Sequence, residues 1–369
     1  MIVGLYPELL APGGTQRAGR HTAAVLAEYA ERQGTPYRFL SLSDPPGTHQ
    51  LRVGEHVFTA RGFARAKQHF ILAALRLALR HPRLVVAGHP NLAPVAWAIQ
   101  SLFPGPRTVV LTHGIEVWTP LPVRRRWPLR RADLVLAPSA DTAGKLVSVQ
   151  GVPKEKVRQL PWGLDPDFPA GCASMTNHVP PGFPKGRVVL TVARLAANER
   201  YKGVDNLIKA VPRLLPSVPD LHLVAVGDGD DRPQLEKLAR EIGAAERVHF
   251  LSGLAQEELV ACYGGCDVFA LPSGGEGFGF VFLEAMGLGK PVVGGAHGGI
   301  PDIIEDGVTG FLVPFGDGER LAGVLQRLLS DEPLRREMGQ RARERLRSMY
   351  LFEHFRTRLA RIIEDVCAS

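Results

Sequence analysis

Residues 271–284 read Leu-Pro-Ser-Gly-Gly-Glu-Gly-Phe-Gly-Phe-Val-Phe-Leu-Glu. An apolar strand ends, a turn holding Gly274, Gly275, Gly277 and Gly279 follows, and the pattern predicts a helix from about Phe280. Such glycines let the backbone approach a ligand closely, and the free amides at a helix start favour an anion such as a phosphate. Glu276 sits in the turn, and Glu284 follows eight residues later, about one turn into the helix. Two carboxylates placed this way suit the hydroxyls of a sugar and a ribose. Taken alone, the stretch reads more readily as a glycine-rich turn with a glutamate favoured by the helix macrodipole. Upstream, residues 191–203 place Arg194 just after a strand and Lys202 just before the next helix. Two fixed cations at a strand carboxyl edge can neutralise a diphosphate, whereas either one alone would be an ordinary solvated loop residue. The order of this loop, then Val226-Gly-Asp-Gly229, then the Glu276 turn, is what gives the set its specificity.

These residues need a scaffold, and the chain supplies it. Apolar runs at 2–6, 36–41, 83–88, 107–112, 133–137 and 157–160 alternate with amphipathic stretches near 16–33, 62–80, 92–102 and 140–149. That is the pattern of strand-helix units around a parallel sheet. Residues 166–185 carry five prolines and read as a linker. The alternation then restarts, with strands expected at 187–193, 221–226, 247–251, 267–271, 291–294 and 311–313, and two closing helices over 332–366 interrupted near Met349 and Tyr350. Two doubly wound parallel-sheet domains follow, in which ligands bind beyond the strand carboxyl ends.

Composition agrees with a soluble globular α/β protein: 369 residues, 45% hydrophobic and 22% charged. Cys172, Cys262, Cys266 and Cys367 form no CxxC pair, which gives no support to a disulfide framework or a zinc site, and Cys262 and Cys266 read as buried packing. No export signal and no uninterrupted apolar span of membrane length is visible, so a cytoplasmic location is expected. The net charge of +7 is unevenly placed: Arg124, Arg125, Arg126, Arg130 and Arg131 surround Trp127. That cluster reads as a solvated helix face or as a peripheral contact with an anionic membrane, and not as a nucleic-acid site.

With these motifs in place, the C-terminal half resembles glycosyltransferase family 4, the group 1 glycosyltransferases of the GT-B fold. Five motifs match in order: the Arg194 to Lys202 loop, the glycine turn at 226–229, Phe250-Leu-Ser-Gly-Leu254, Glu276-x7-Glu284, and the run from Glu305 to Pro314. The resemblance covers 186–345 strongly and the first half more loosely. It implies two Rossmann-like domains facing a cleft, at 1–168 and 186–347, joined by a linker at 169–185, with residues 348–369 returning as a helix to the first domain. It also implies residue roles. Arg194 and Lys202 hold a donor diphosphate; Glu276 and the backbone of Gly277, Phe278, Gly279, Phe280 and Val281 hold the transferred sugar and phosphate; Glu284 binds the ribose. The Arg-to-Lys interval is longer than the family's common form, which makes Arg200 a candidate substitute at the diphosphate. In the first half, residues 12–17 resemble the family's Gly-Gly loop, with Gly14 near the donor, and His113 matches the histidine that reaches the transferred sugar. Glu116, His89 and Asn91 are weaker candidates beside donor or acceptor.

The resemblance therefore implies a retaining transferase that moves a hexosyl unit from a UDP- or GDP-sugar to a glycan or lipid-linked acceptor, in bacterial surface polysaccharide or lipopolysaccharide synthesis. The nucleotide sugar is a substrate, and no cofactor is expected. Arg194, Lys202 and the helix amides can meet the leaving diphosphate without a metal, so no essential metal is expected. A nucleotide-sugar 2-epimerase of the same fold, or a silent nucleotide-sugar-binding protein, are the competing readings.

Overall fold

A parallel strand buried on both faces must be apolar at every position, and β1 (Ile2–Tyr6) is: all five residues are buried. The computed structural model describes residues 1–103, 105–168 and 179–368. It divides into two compact units, Met1–Asp167 with Leu351–Ser369, and Phe168–Tyr350. Residues 169–178 of the expected linker, Cys172 among them, lie outside the described residues.

In the first unit β1 is followed by α1 (Gly14–Arg32), β2 (Tyr37–Ser41), β3 (Gly47–Val53), β4 (His56–Gly62), α2 (Lys67–Ala78), β5 (Leu84–Ala87) and α3 (Ala93–Leu102). Then come β6 (Arg107–Leu111), α4 (Val123–Arg131), β7 (Leu134–Ala137), α5 (Ala140–Ser148) and β8 (Val157–Gln159). The sheet order is β3-β4-β2-β1-β5-β6-β7-β8. It is parallel except at its edge, where β3 and β4 form an antiparallel hairpin. Sequence reading assigns no strands there and starts the next helix at 62; Gly62 instead ends β4, and α2 begins at Lys67.

The second unit holds β9 (Arg187–Val192), α6 (Val204–Leu214), β10 (Leu221–Val226), α7 (Arg232–Glu241), β11 (Val248–Leu251) and α8 (Gln256–Gly265). It continues with β12 (Val268–Leu271), α9 (Phe280–Gly287), β13 (Val292–Gly295), α10 (Ile300–Ile303), β14 (Gly310–Val313), α11 (Gly318–Ser330) and α12 (Glu332–Met349). All six strands run parallel in the order β11-β10-β9-β12-β13-β14. The chain then enters α13 (Phe352–Ala368), whose Phe355, Leu359 and Ile363 are buried at i, i+4 and i+8, with the helix packed on α1. Phe352 and Phe355 lie against the His21 ring, with centroids 5.0 and 6.1 Å away.

Strand order reverses between β1 and β5 in one unit and between β9 and β12 in the other. Those reversal points splay the connecting loops apart and leave room for a ligand. The Gly13, His89, Arg194 and Glu276 loops are the ones that emerge there. No helix among the described residues is long and apolar enough to cross a membrane.

Candidate active site

Glycine decides how the second unit's loops meet. A Cβ on Gly227 (φ +146°) would fall 1.9 Å from the Ala193 carbonyl oxygen, and one on Gly229 (φ +155°) 2.2 Å from that of Leu195. The turn after β10 therefore lies flat on the Arg194 loop, whose Leu195 amide donates to the Asp228 carbonyl (2.9 Å). Gly203 (φ +74°) lets the end of the same loop press on Pro272, and the Gly274 amide donates to the Tyr201 carbonyl at 2.6 Å. This seam carries Lys202 to Glu276.

The result is a four-charge cluster. Lys202 Nζ lies 3.7 Å from Glu276 Oε1 and 3.4 Å from Glu199 Oε2, and Arg194 Nη2 lies 3.0 Å from Glu199 Oε1. Lys202, Glu199 and Glu276 are 16%, 13% and 17% exposed, whereas Arg194 is 70% exposed. Glu276 Oε1 and Glu199 Oε2 are shielded from solvent and accept no hydrogen bond among the described residues. Burial raises the Glu276 carboxyl above the usual range, with Lys202 pulling it back. A half-satisfied buried carboxylate beside a cation is ready to accept from ligand hydroxyls.

Arg200, the candidate substitute at the diphosphate, is held by an acidic partner and is 59% exposed. Its Nε and Nη2 donate to the Asp231 carboxylate at 2.5 to 3.0 Å, a forked pair. Gly277 and Phe278 are buried, and Gly279 (φ +108°) turns the chain into α9, where Phe280 and Val281 contribute the first amides. Glu284 is only 2% exposed, and its Oε2 accepts from the Tyr263 hydroxyl at 2.7 Å. Cys262 and Cys266 are buried with thiols pushed up to about 12, chiefly by burial, which suits packing.

In the first unit, Gly13 (φ +136°) precedes Gly14, the first residue of α1. His113 donates from Nε2 to the Gly88 carbonyl (2.8 Å), which leaves Nδ1 as its acceptor nitrogen. Its ring is stacked between His89 and Trp162, each 5.7 Å away. Glu116 Oε1 accepts from the His113 backbone amide at 2.6 Å, and the Asn91 backbone N–H donates to His89 Nδ1 at 3.1 Å. Glu116 thus braces the His113 loop through its side chain, and Asn91 caps His89 through its backbone alone. Burial, then His113 and Arg125, drive His89 down to about 3. Among the described residues, no three His, Cys, Asp or Glu side chains gather as a metal site would require.

Comparison with known proteins bears on both units. Residues 176–345 match the model of the glycosyl transferases group 1, and residues 18–168 match that of Glycosyltransferase Family 4. A GDP-mannose-dependent alpha-(1-6)-phosphatidylinositol monomannoside mannosyltransferase of Mycolicibacterium smegmatis is 37% identical over 70% of this chain and 69% of its own. Its counterpart from Mycobacterium tuberculosis is 34% identical over 78% of this chain and 73% of its own. The chain belongs to family 4, the group 1 glycosyltransferases. Among solved structures, sucrose-phosphate synthase from Thermosynechococcus elongatus superposes with a TM-score of 0.81 at 22% identity, covering 100% of this chain and 99% of that one. Anabaena HepE in complex with UDP gives 0.74 at 20%, covering 99% of each. Both likenesses are of fold, and they make the α/β architecture of this glycosyltransferase that of the GT-B class.

Two residues of the glycosyltransferase's site carry no sequence signal of their own. Glu199 lies inside the long Arg-to-Lys interval, where its side of the loop is not legible, yet it bridges both cations. Tyr263 reads as one more apolar position of α8 until its hydroxyl is seen on Glu284.

Proposed function

We propose that this glycosyltransferase uses GDP-mannose and transfers the mannosyl unit, with retention, to a hydroxyl of a lipid-linked glycan in surface polysaccharide or lipopolysaccharide assembly. The observation that carries the reading is the meeting of Lys202, Arg194 and Glu276 at the carboxyl ends of β9 and β12. The named relatives supply the donor and the acceptor class: both are GDP-mannose-dependent and act on a phosphatidylinositol mannoside.

As the bond between the anomeric carbon and the diphosphate oxygen breaks, negative charge gathers on the leaving group. Arg194, Lys202 and the amides at the start of α9 meet that charge without a metal ion, and each such contact lowers the barrier by about 2 to 4 kcal/mol. Glu276 and the His113 Nδ1 accept from sugar hydroxyls, and Glu284, oriented by Tyr263, accepts from the ribose. The acceptor hydroxyl attacks the same face, and its proton passes to the departing phosphate. The reaction takes place on the cytoplasmic side, with the Trp127 patch of α4 against an anionic membrane. Trp127 is 41% exposed there, packed on Trp97 and under Arg131.

The test is turnover of GDP-mannose, UDP-glucose and UDP-N-acetylglucosamine with a phosphatidylinositol mannoside, in EDTA, with the product anomer read by NMR. An α-mannosyl product from GDP-mannose alone is the expected result. A β-product, an EDTA-sensitive rate or preference for a UDP-sugar would each overturn the corresponding part.

A further inference from the structure

The segment between β1 and α1 is held by side chains and not by its own backbone. A chain that leaves regular structure still needs partners for its buried N–H and C=O groups. Here the Leu9 and Leu10 amides donate to the Asp44 carboxylate, at 2.9 Å to Oδ2 and 3.2 Å to Oδ1. From the other side, Arg20 Nη1 donates to the carbonyls of Leu9 (2.7 Å) and Ala11 (3.1 Å). Among the described residues, none of these four groups pairs with another backbone group. The loop is threaded between an anion that collects its amides and a cation that collects its carbonyls.

Both holders are themselves fixed. Asp44 is 3% exposed and accepts from the Ser41 hydroxyl at 2.6 Å, while its own carbonyl accepts from the Ala64 amide at 2.7 Å. Arg20 is half-buried on α1, the helix that opens at Gly14. Within the clamped segment Leu9 is fully buried, whereas Leu10, Pro12, Gly13 and Gly14 are exposed. β1 pairs with β5, and the Gly88 amide donates to the Leu5 carbonyl at 2.7 Å, so this exposed tip leaves the sheet beside the loop that carries His89, itself stacked on His113.

We propose that Arg20 and Asp44 are positioning residues for the acceptor: by clamping residues 8–11 they fix the tip from Leu10 to Gly14 as a wall beside the His89 and His113 rings, where the accepting hydroxyl has to be aimed. Each acts through the loop backbone, and aim is what sets the rate of a transfer between two bound reactants. The inference rests on the transferase reading above but not on the identity of the donor.

Steady-state kinetics with a phosphatidylinositol mannoside test it, using whichever nucleotide sugar the wild type turns over, so that an error in the donor assignment leaves the comparison intact. Arg20→Met and Asp44→Asn are each expected to raise the KM for the acceptor about tenfold, while the Kd of the donor's nucleoside diphosphate, measured by calorimetry, stays within about twofold because its cations lie in the second unit. A mere loss of folded enzyme lowers kcat and moves neither constant. Arg20→Lys, which keeps donors for the two carbonyls, is expected to restore the acceptor KM. Since both residues act on one loop, the double variant is expected to fall within about threefold of the worse single one. Amide hydrogen exchange needs no substrate: Arg20→Met is expected to expose the Leu9 and Leu10 amides although it bonds to neither. An acceptor KM unchanged in Arg20→Met, a nucleotide Kd weakened in parallel, losses that multiply in the double variant, or undisturbed protection of Leu9 and Leu10 would each overturn the proposal.

Discussion

The Lys202 ammonium stands 3.7 Å from the Glu276 carboxylate, on side chains that are 16% and 17% exposed. Burial raises Glu276, and Lys202 is the main group pulling it back. Replacing Lys202 by Met therefore removes a cation from the leaving group and pushes Glu276 further toward its neutral form. We expect kcat/KM to fall about a hundredfold at pH 7 and the acid limb of its pH profile to move upward. A loss under threefold, or an unmoved acid limb, would take Lys202 out of this role.

Glu199 counters both cations, at 3.0 Å from Arg194 and 3.4 Å from Lys202. A diphosphate must displace it or bind beside it, and like charges repel at such distances. Glu199→Gln should thus tighten the nucleoside diphosphate about three- to tenfold, since each 1.4 kcal/mol is a factor of ten. Calorimetric titration with GDP measures this directly, and weaker binding would mean that Glu199 chiefly positions the two cations.

The parallel strands were legible because burial on both faces writes them as unbroken apolar runs, as in Leu84–Ala87 and Leu134–Ala137. The hairpin was not, since Thr48, His49 and Gln50 look like loop until Leu51 and Phe58 are paired across it. Motif order marked Lys202 and Glu276 as members of one set, and the structure sets them 3.7 Å apart. What the order could not carry is which way side chains turn inside a loop. Arg200 and Lys202 are two residues apart, yet one forks onto Asp231 and the other faces Glu276. Glu116, expected beside donor or acceptor, likewise accepts the His113 backbone amide through one carboxylate oxygen, a turn that motif order does not encode.

The glycines after β10 make a sharper demand than their backbone angles alone. Gly227→Ala sets a methyl 1.9 Å from the Ala193 carbonyl, whereas Gly243→Ala, also at positive φ (+72°), meets nothing within 4 Å. The second change should cost only the left-handed strain, about 1 to 2 kcal/mol. The first must also move the Arg194 loop and should cost more than about 3 kcal/mol, with GDP affinity falling alongside. Denaturant unfolding compares the two, and equal losses would mean that the loop yields freely.

His89 supplies a pH dependence of known sign. Burial first, then the neighbouring His113 and Arg125, hold it neutral in the native structure, down to about 3, with its Nδ1 accepting from the Asn91 backbone N–H. An unfolded histidine titrates near 6.5. Between those values the unfolded chain binds the extra proton, so stability rises with pH across the window of about 3 to 6.5 and is level above it. Going from pH 7.5 to pH 5, wild type should lose on the order of 1 to 2 kcal/mol through this residue. His89→Gln keeps a side-chain acceptor near Asn91 but cannot be protonated, so its loss over the same range should be smaller by that amount. The comparison needs unfolding of both proteins at the two pH values. Parallel losses would place the acid sensitivity elsewhere, with His21 as the next group to replace: it is fully buried beside Asp165 and Phe352, and burial lowers its pKa as well.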